Sequence, residues 1–136
     1  MRRAVHWILL AGLSGFFIYA AAGKLIDPQE FARAILNYRL VGAQLALVGA
    51  LWLPWLEVVA GACLVARAVR RAASWLLLLL MGVFQLALLS AWMRGLDIEC
   101  GCLGGGDSAT VEVALVRNVF LIAALLTLLR LNRQAV

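Results

Sequence analysis

The sequence predicts an all-α integral membrane protein: a four-transmembrane-helix bundle with a short amphipathic helix on its outer surface. Three observations lead there. Of 136 residues, 65% are hydrophobic and only 14% charged, and the mean hydropathy is +0.99, which is far more apolar than a soluble domain. Four segments, 4–26, 43–66, 72–93 and 111–129, have the roughly 17–25 predominantly apolar residues that a bilayer crossing requires. Between the first two lies a short stretch of mixed polarity with helical spacing. No internal repeat or linker divides the chain, so residues 1–136 are read as a single four-span domain.

The first span follows Arg2-Arg3 and ends on Lys24, with Gly12 and Gly15 as expected points of close helix approach. Arg2-Arg3, an apolar run and Ala20-Ala21-Ala22 also match a secretory signal with a small-residue cleavage site. A retained span is favoured, because the run is long for a signal and its removal leaves an awkward three-span topology. Asp27-Pro28 then reads as a helix start, with proline at the first position and Glu30 in the first turn. Phe31, Ile35, Tyr38 and Val41 recur at helical spacing among Gln29, Arg33, Asn37 and Arg39, the pattern of a surface helix that closes the bundle as a lid.

The second span carries Pro54 and Glu57 within one turn of each other, and Gly61 between Ala60 and Ala62. Proline predicts a kink, and a glutamate inside hydrocarbon is expected to face the bundle. In the third span Gln85 lies about 12 Å from the outer end; in the fourth, Arg117 lies about 9 Å from its outer edge at 1.5 Å per residue. Lys24, Glu57, Gln85 and Arg117 are therefore expected to converge in the outer half of the bundle, with Arg117 as the first partner of Glu57 and Lys24 as the second. Two readings of that set stand side by side: polar side chains that pair to associate helices, or a ligand site, with a quinone as the candidate cofactor. Of the five tryptophans, Trp7, Trp75 and Trp92 lie near span ends and Trp52 and Trp55 flank Pro54; packing is expected to account for most of them.

Orientation follows from the basic residues. Arg2, Arg3, Arg67, Arg70, Arg71, Arg130 and Arg133 fall on one side and Lys24, Arg33, Arg39 and Arg94 on the other, so the positive-inside rule makes both termini and the second-to-third turn cytoplasmic. The basic clusters are read as topology signals and contacts to membrane lipid headgroups, not as a nucleic-acid surface. The loop between the third and fourth spans is then extracytoplasmic, where disulfides form and persist.

That loop contains Cys100-Gly101-Cys102. Closing a ring over one intervening residue removes only about 1–2 kcal/mol of unfolded-chain entropy, a weak motive for a structural disulfide. Thiol–disulfide exchange, in contrast, needs an accessible sulfur with a resolving thiol beside it, which this spacing supplies, and Gly101 permits the tight backbone. No metal is expected: closed zinc sites take four ligands and the single histidine, His6, falls on the opposite face, although two thiolates also suit Cu(I). Cys63, a membrane thickness away, reads as a small buried apolar residue.

Ala22-Gly23-Lys24 with Pro28, Phe31 and Tyr38, Pro54-x-x-Glu57-x-x-x-Gly61, Cys100-Gly101-Cys102-x-Gly104 and Leu115-x-Arg117-Asn118 form a series over nearly the whole chain. Together they resemble the MauE family of methylamine-utilisation membrane proteins, related to the DoxX-like proteins. Leu103 departs from the resemblance, standing where that family usually has an aromatic residue. The resemblance implies a multi-pass protein of the bacterial inner membrane, acting beside a thioredoxin-like partner in maturation of the disulfide-rich small subunit of methylamine dehydrogenase. Lys24, Glu57, Cys100, Cys102 and Arg117 match its pattern. The expected function is thus a membrane redox protein that exchanges disulfides through Cys100 and Cys102 with a thioredoxin-like protein or a disulfide-containing client, its electrons passing to a quinone near Lys24, Glu57, Gln85 and Arg117. Two alternatives stand beside it: outward delivery of reducing equivalents, and a non-catalytic membrane assembly factor.

Overall fold

A computed structural model describes residues 1–95 and 110–134, and these form five helices. They are α1 (Arg2–Ile26), α2 (Pro28–Asn37), α3 (Ala43–Cys63), α4 (Arg70–Met93) and α5 (Val111–Gln134). All but α2 are long and apolar enough to span a membrane. Successive spans are neighbours round a ring, α1 against α3, α3 against α4 and α4 against α5, and α5 closes back on α1. The four spans run up and down in chain order. One end of the bundle therefore holds the start of α1, the α3–α4 turn and the end of α5. The opposite end holds α2, the end of α4 and the start of α5.

The apolar residues distribute as a bilayer demands. Leu10, Leu13, Phe17, Leu77, Leu125 and Leu128 pack in the main core, with Cys63 partly buried against it. Leu79, Val83, Leu86 and Phe120 lie on the outside, each more than half exposed. All five tryptophans join them there, from 52% exposed at Trp75 to 66% at Trp52. Packing thus does not account for them; their large amphipathic rings serve the lipid-facing surface, Trp52 and Trp55 included.

Close approach is achieved at one of the expected glycines and not at the others. Ser14 Oγ donates to the Gly61 carbonyl at 2.8 Å, tying α1 to α3. A methyl group at Gly61 would sit 3.3 Å from Ile18 Cγ1 and 3.4 Å from Phe17 Cβ. Gly12 and Gly15 face open space, so their small size permits no helix contact.

The helix ends explain the boundaries. In α2 the Asp27 side chain accepts from the Glu30 backbone N–H at 3.1 Å over Pro28, the expected N-terminal signature. This helix stops at Asn37, and Arg39 turns the chain with a φ of 55°. The helical spacing therefore breaks before Val41, which is 38% exposed and lies outside the buried face. The buried face consists of Phe31 and Ala32, packed against Ala50, and Tyr38, packed among Leu88, Ala91, Val111 and Ala114. Helix α3 ends three residues short of the expected 66. The buried Arg70 side chain takes the carbonyls beyond its end, Nε donating to Leu64 O at 2.6 Å and Nη2 to Val65 O at 2.8 Å. Helix α5 continues past 129 to Gln134.

Replacing Gly61 with valine should cost about 1–3 kcal/mol by forcing α1 and α3 apart. Gly12→Ala, in open space, should leave stability unchanged or slightly raised. Denaturant unfolding of the purified variants in detergent checks both; equal behaviour at the two positions would contradict the close approach.

Candidate functional site

The hydrocarbon interior admits an ionised side chain only with a partner, and Glu57 has one. Lys24 Nζ lies 2.7 Å from Glu57 Oε1, with the two side chains 2% and 1% exposed. Helix geometry explains why these residues meet although they stand at different heights. From the Ser14–Gly61 contact, Lys24 is about 15 Å along α1 and Glu57 about 6 Å along the antiparallel α3. Side chains lean toward the N-terminus of their own helix, so Lys24 reaches back toward the middle of the bundle while Glu57 leans out to meet it.

Two aromatic rings complete the surroundings of the ammonium group. Phe31 of α2 and Phe84 of α4 each place a ring centroid 5.1 Å from Lys24 Nζ, within cation–π range. From α5, Arg117 and Asn118 line a small enclosed space of about 10 Å³ beside Lys24 and Glu57, together with Phe17, Met81 and Leu121. Every helix thus contributes to the surroundings of this buried pair. Glu57 Oε2 and Asn118 Nδ2 have no hydrogen-bond partner among the described residues. An acceptor and a donor beside a space on the scale of one water molecule suit a single bridging water.

The expected set is brought together in part. Lys24, Glu57 and Arg117 converge, but the order of partners is reversed: Lys24, not Arg117, makes the ion pair. Gln85 does not line the enclosed space, and its buried Oε1 has no hydrogen-bond partner among the described residues. Counting residues from the membrane edge gave Gln85 a suitable height but not a facing direction. Sequence reasoning left Phe31, Phe84 and Asn118 out of the site. Phe31 carried a signal, because its helical spacing from Asp27-Pro28 aims it inward, just past Lys24 in the chain.

Cys100 and Cys102 lie outside the described residues. The two helices that flank their segment end in defined ways. Helix α4 closes through Gly95, whose φ of 68° is the left-handed conformation that favours glycine at a helix end, with its N–H donating to Trp92 O at 3.1 Å. Thr110 Oγ1 accepts from the Val113 N–H at 3.4 Å at the start of α5. Between these ends, Arg94 donates through Nη2 to the Tyr38 carbonyl, fastening α2 across the same end of the bundle. Among the described residues no three His, Cys, Asp or Glu side chains are grouped as a metal would need.

Fold and site together define a four-span helical membrane protein organised around a buried lysine–glutamate pair. Comparison with known proteins narrows the class. The family described as methylamine utilisation protein MauE matches residues 2–131. The methylamine utilization protein MauE of Paracoccus versutus is 34% identical over 121 residues, 88% of this chain and 65% of that protein. That of Paracoccus denitrificans is 33% identical over 126 residues, 91% and 68% respectively. The chain spans about two thirds of the length of these curated relatives. No solved structure matches it. The chain belongs to the MauE family.

Breaking a buried pair leaves one charge uncompensated. Lys24→Met and Glu57→Leu should therefore each lower stability by about 3–5 kcal/mol, while the double variant should recover most of that loss. A double variant as unstable as the sum of the two singles, in detergent unfolding, would argue that the side chains act independently.

Proposed function

We propose that the chain is a membrane redox protein of methylamine utilisation, in which Cys100 and Cys102 exchange disulfides with a thioredoxin-like protein or a disulfide-containing client on the extracytoplasmic side of the bacterial inner membrane. The Cys100-Gly101-Cys102 sequence carries this reading, because one intervening residue suits transfer of a disulfide better than structural stabilisation. In the exchange a client thiolate attacks one sulfur of the Cys100–Cys102 disulfide, and the other leaves as a thiolate and takes up a proton. The second client thiol then resolves the mixed disulfide. The client loses two electrons and two protons, and the pair gains them as a dithiol.

Support comes from the arrangement around the pair's segment. It joins α4 to α5 at the end of the bundle carrying Tyr38, Arg94 and α2. The opposite end gathers Arg2, Arg3, Arg67, Arg70, Arg71 and Arg133, which by the positive-inside rule belongs to the cytoplasm. The MauE name of the relatives supports the link to methylamine utilisation; the small subunit of methylamine dehydrogenase is the client in this reading.

A quinone is the electron acceptor in this reading, able to take the two electrons and two protons that the dithiol releases. The enclosed space beside Lys24 and Glu57, about 10 Å³, does not fit a quinone ring. The apolar face of α5, where Glu112 and Arg117 stand among Val113, Val116, Phe120 and Leu121, is the surface at which it binds in this reading. Arg117 lines the enclosed space and this open face alike, so it connects the buried pair to the lipid-facing surface. Its role is to hold a polar head group at that surface while Lys24 and Glu57 set the local charge.

The test is trapping. One single-cysteine variant, Cys100→Ser or Cys102→Ser, should accumulate a covalent complex with a thioredoxin-like or client protein, and the pair should titrate as a two-electron couple less reducing than about −300 mV. Cys63→Ser should leave both results unchanged. Serine at both loop positions should abolish exchange with the bundle still folded, since packing holds the helices; retained function in that double variant would instead identify a non-catalytic assembly factor.

A membrane-impermeant thiol reagent should label the reduced pair in intact cells. Labelling only after permeabilisation, with reduction verified, would reverse the assigned orientation.

A further inference from the structure

The end of the bundle opposite α2 contains a cavity of about 780 Å³ that disulfide exchange does not use. Arg2, Arg3, Arg67, Arg70, Arg71 and Arg133 line it, contributed by the first turn of α1, the α3–α4 turn, the first turn of α4 and the last turn of α5. No acidic residue lines it among the described residues. The guanidinium groups of Arg3, Arg67, Arg71 and Arg133 round one space repel one another, and with no carboxylate among the described residues of the wall an anionic occupant supplies the compensation.

The wall also favours an anion in its details. The starts of α1 and α4 both open on the cavity without a side-chain cap, and their N–H groups and positive dipole ends outnumber the one carbonyl end that the last turn of α5 brings to the same space. Asn132 lines the cavity, and its buried Nδ2 has no hydrogen-bond partner among the described residues. Arg70 is already committed. Besides the Leu64 and Val65 carbonyls it faces His6 Nε2 at 3.2 Å, which must accept because a guanidinium only donates. Arg70 thus shapes the cavity, while the exposed Arg67 and Arg71 stand on either side of it in sequence.

The lining is not wholly polar. Trp7, 55% exposed, and Leu129 and Leu131 form an apolar part of the same wall at the membrane margin. An occupant matched to both parts has a phosphate to accept hydrogen bonds and a hydrocarbon portion beside it. We propose that this arginine-lined cavity is a specific binding site for the phosphate-bearing headgroup of an anionic phospholipid. Guanidinium forks bind phosphate oxygens in pairs, and Trp7 and the two leucines receive the start of the acyl chains.

The experiment is native mass spectrometry of the full chain in neutral detergent, titrated with phosphatidylglycerol, with phosphatidylcholine and with inorganic phosphate. Phosphatidylglycerol should bind at least about tenfold more tightly than phosphatidylcholine. Arg67→Gln with Arg71→Gln should weaken it about tenfold, the loss expected for a few charge-assisted hydrogen bonds. Arg67→Lys with Arg71→Lys, which keeps the charge but not the fork, should fall between, and also distinguishes lost binding from lost folding. Arg33→Gln with Arg39→Gln removes the same charge elsewhere and should change affinity less than about twofold. Equal binding of the two lipids, or equal loss in both glutamine pairs, would overturn the proposal as unspecific attraction. Displacement of phosphatidylglycerol by equimolar inorganic phosphate would overturn the lipid assignment in favour of a free-phosphate site.

Discussion

An ionised lysine and an ionised glutamate in a membrane interior persist only as a pair, and that constraint organises this bundle. The Lys24 ammonium is held by Glu57 of α3 and faced by Phe31 of α2 and Phe84 of α4, while α5 supplies Arg117 and Asn118 to the space beside them. In lipid the hydrophobic effect does little to bring apolar helices together, so contacts of this kind, with close packing, choose the partners. The pair selects α3 as the neighbour of α1. The Ser14–Gly61 hydrogen bond then sets their separation further along the same interface.

The same pair accounts for the depth at which α2 sits. A short amphipathic helix would otherwise rest on the surface with its apolar side in the headgroup region. Here Phe31 enters the bundle beside Lys24, and Tyr38 fills the gap between α4 and α5. The two anchors pin the helix at its beginning and just past its end. Through Arg94 and the Tyr38 carbonyl, α2 is coupled to the end of α4, from which the segment with Cys100 and Cys102 departs.

At the other end the problem is an excess of donors. Arg70 resolves part of it by closing α3, taking the Leu64 and Val65 carbonyls and reaching His6 of α1. One side chain thereby connects the ends of three helices. The remaining arginines surround a space open to solvent and lipid. The two ends thus differ in kind: one is capped by a helix, the other is bounded by positive charge.

Much of this was legible in the chain because membrane insertion is governed by local quantities. Runs of about 20 apolar residues and Asp27-Pro28 ahead of a helical repeat each express their consequence within a few turns. The family was legible for the same reason, its motifs being short and ordered. Facing directions were not. That Lys24 and not Arg117 pairs with Glu57, that Gln85 does not line the enclosed space and that Gly61 but not Gly12 or Gly15 meets another helix depend on the rotation of each helix about its axis and on its tilt. The tryptophans of α3 show the same limit, since an apolar span has no polar face to reveal which side meets lipid. Packing between helices sets rotation and tilt, and it is a property of pairs of surfaces distant in sequence, so only the tertiary structure decided them.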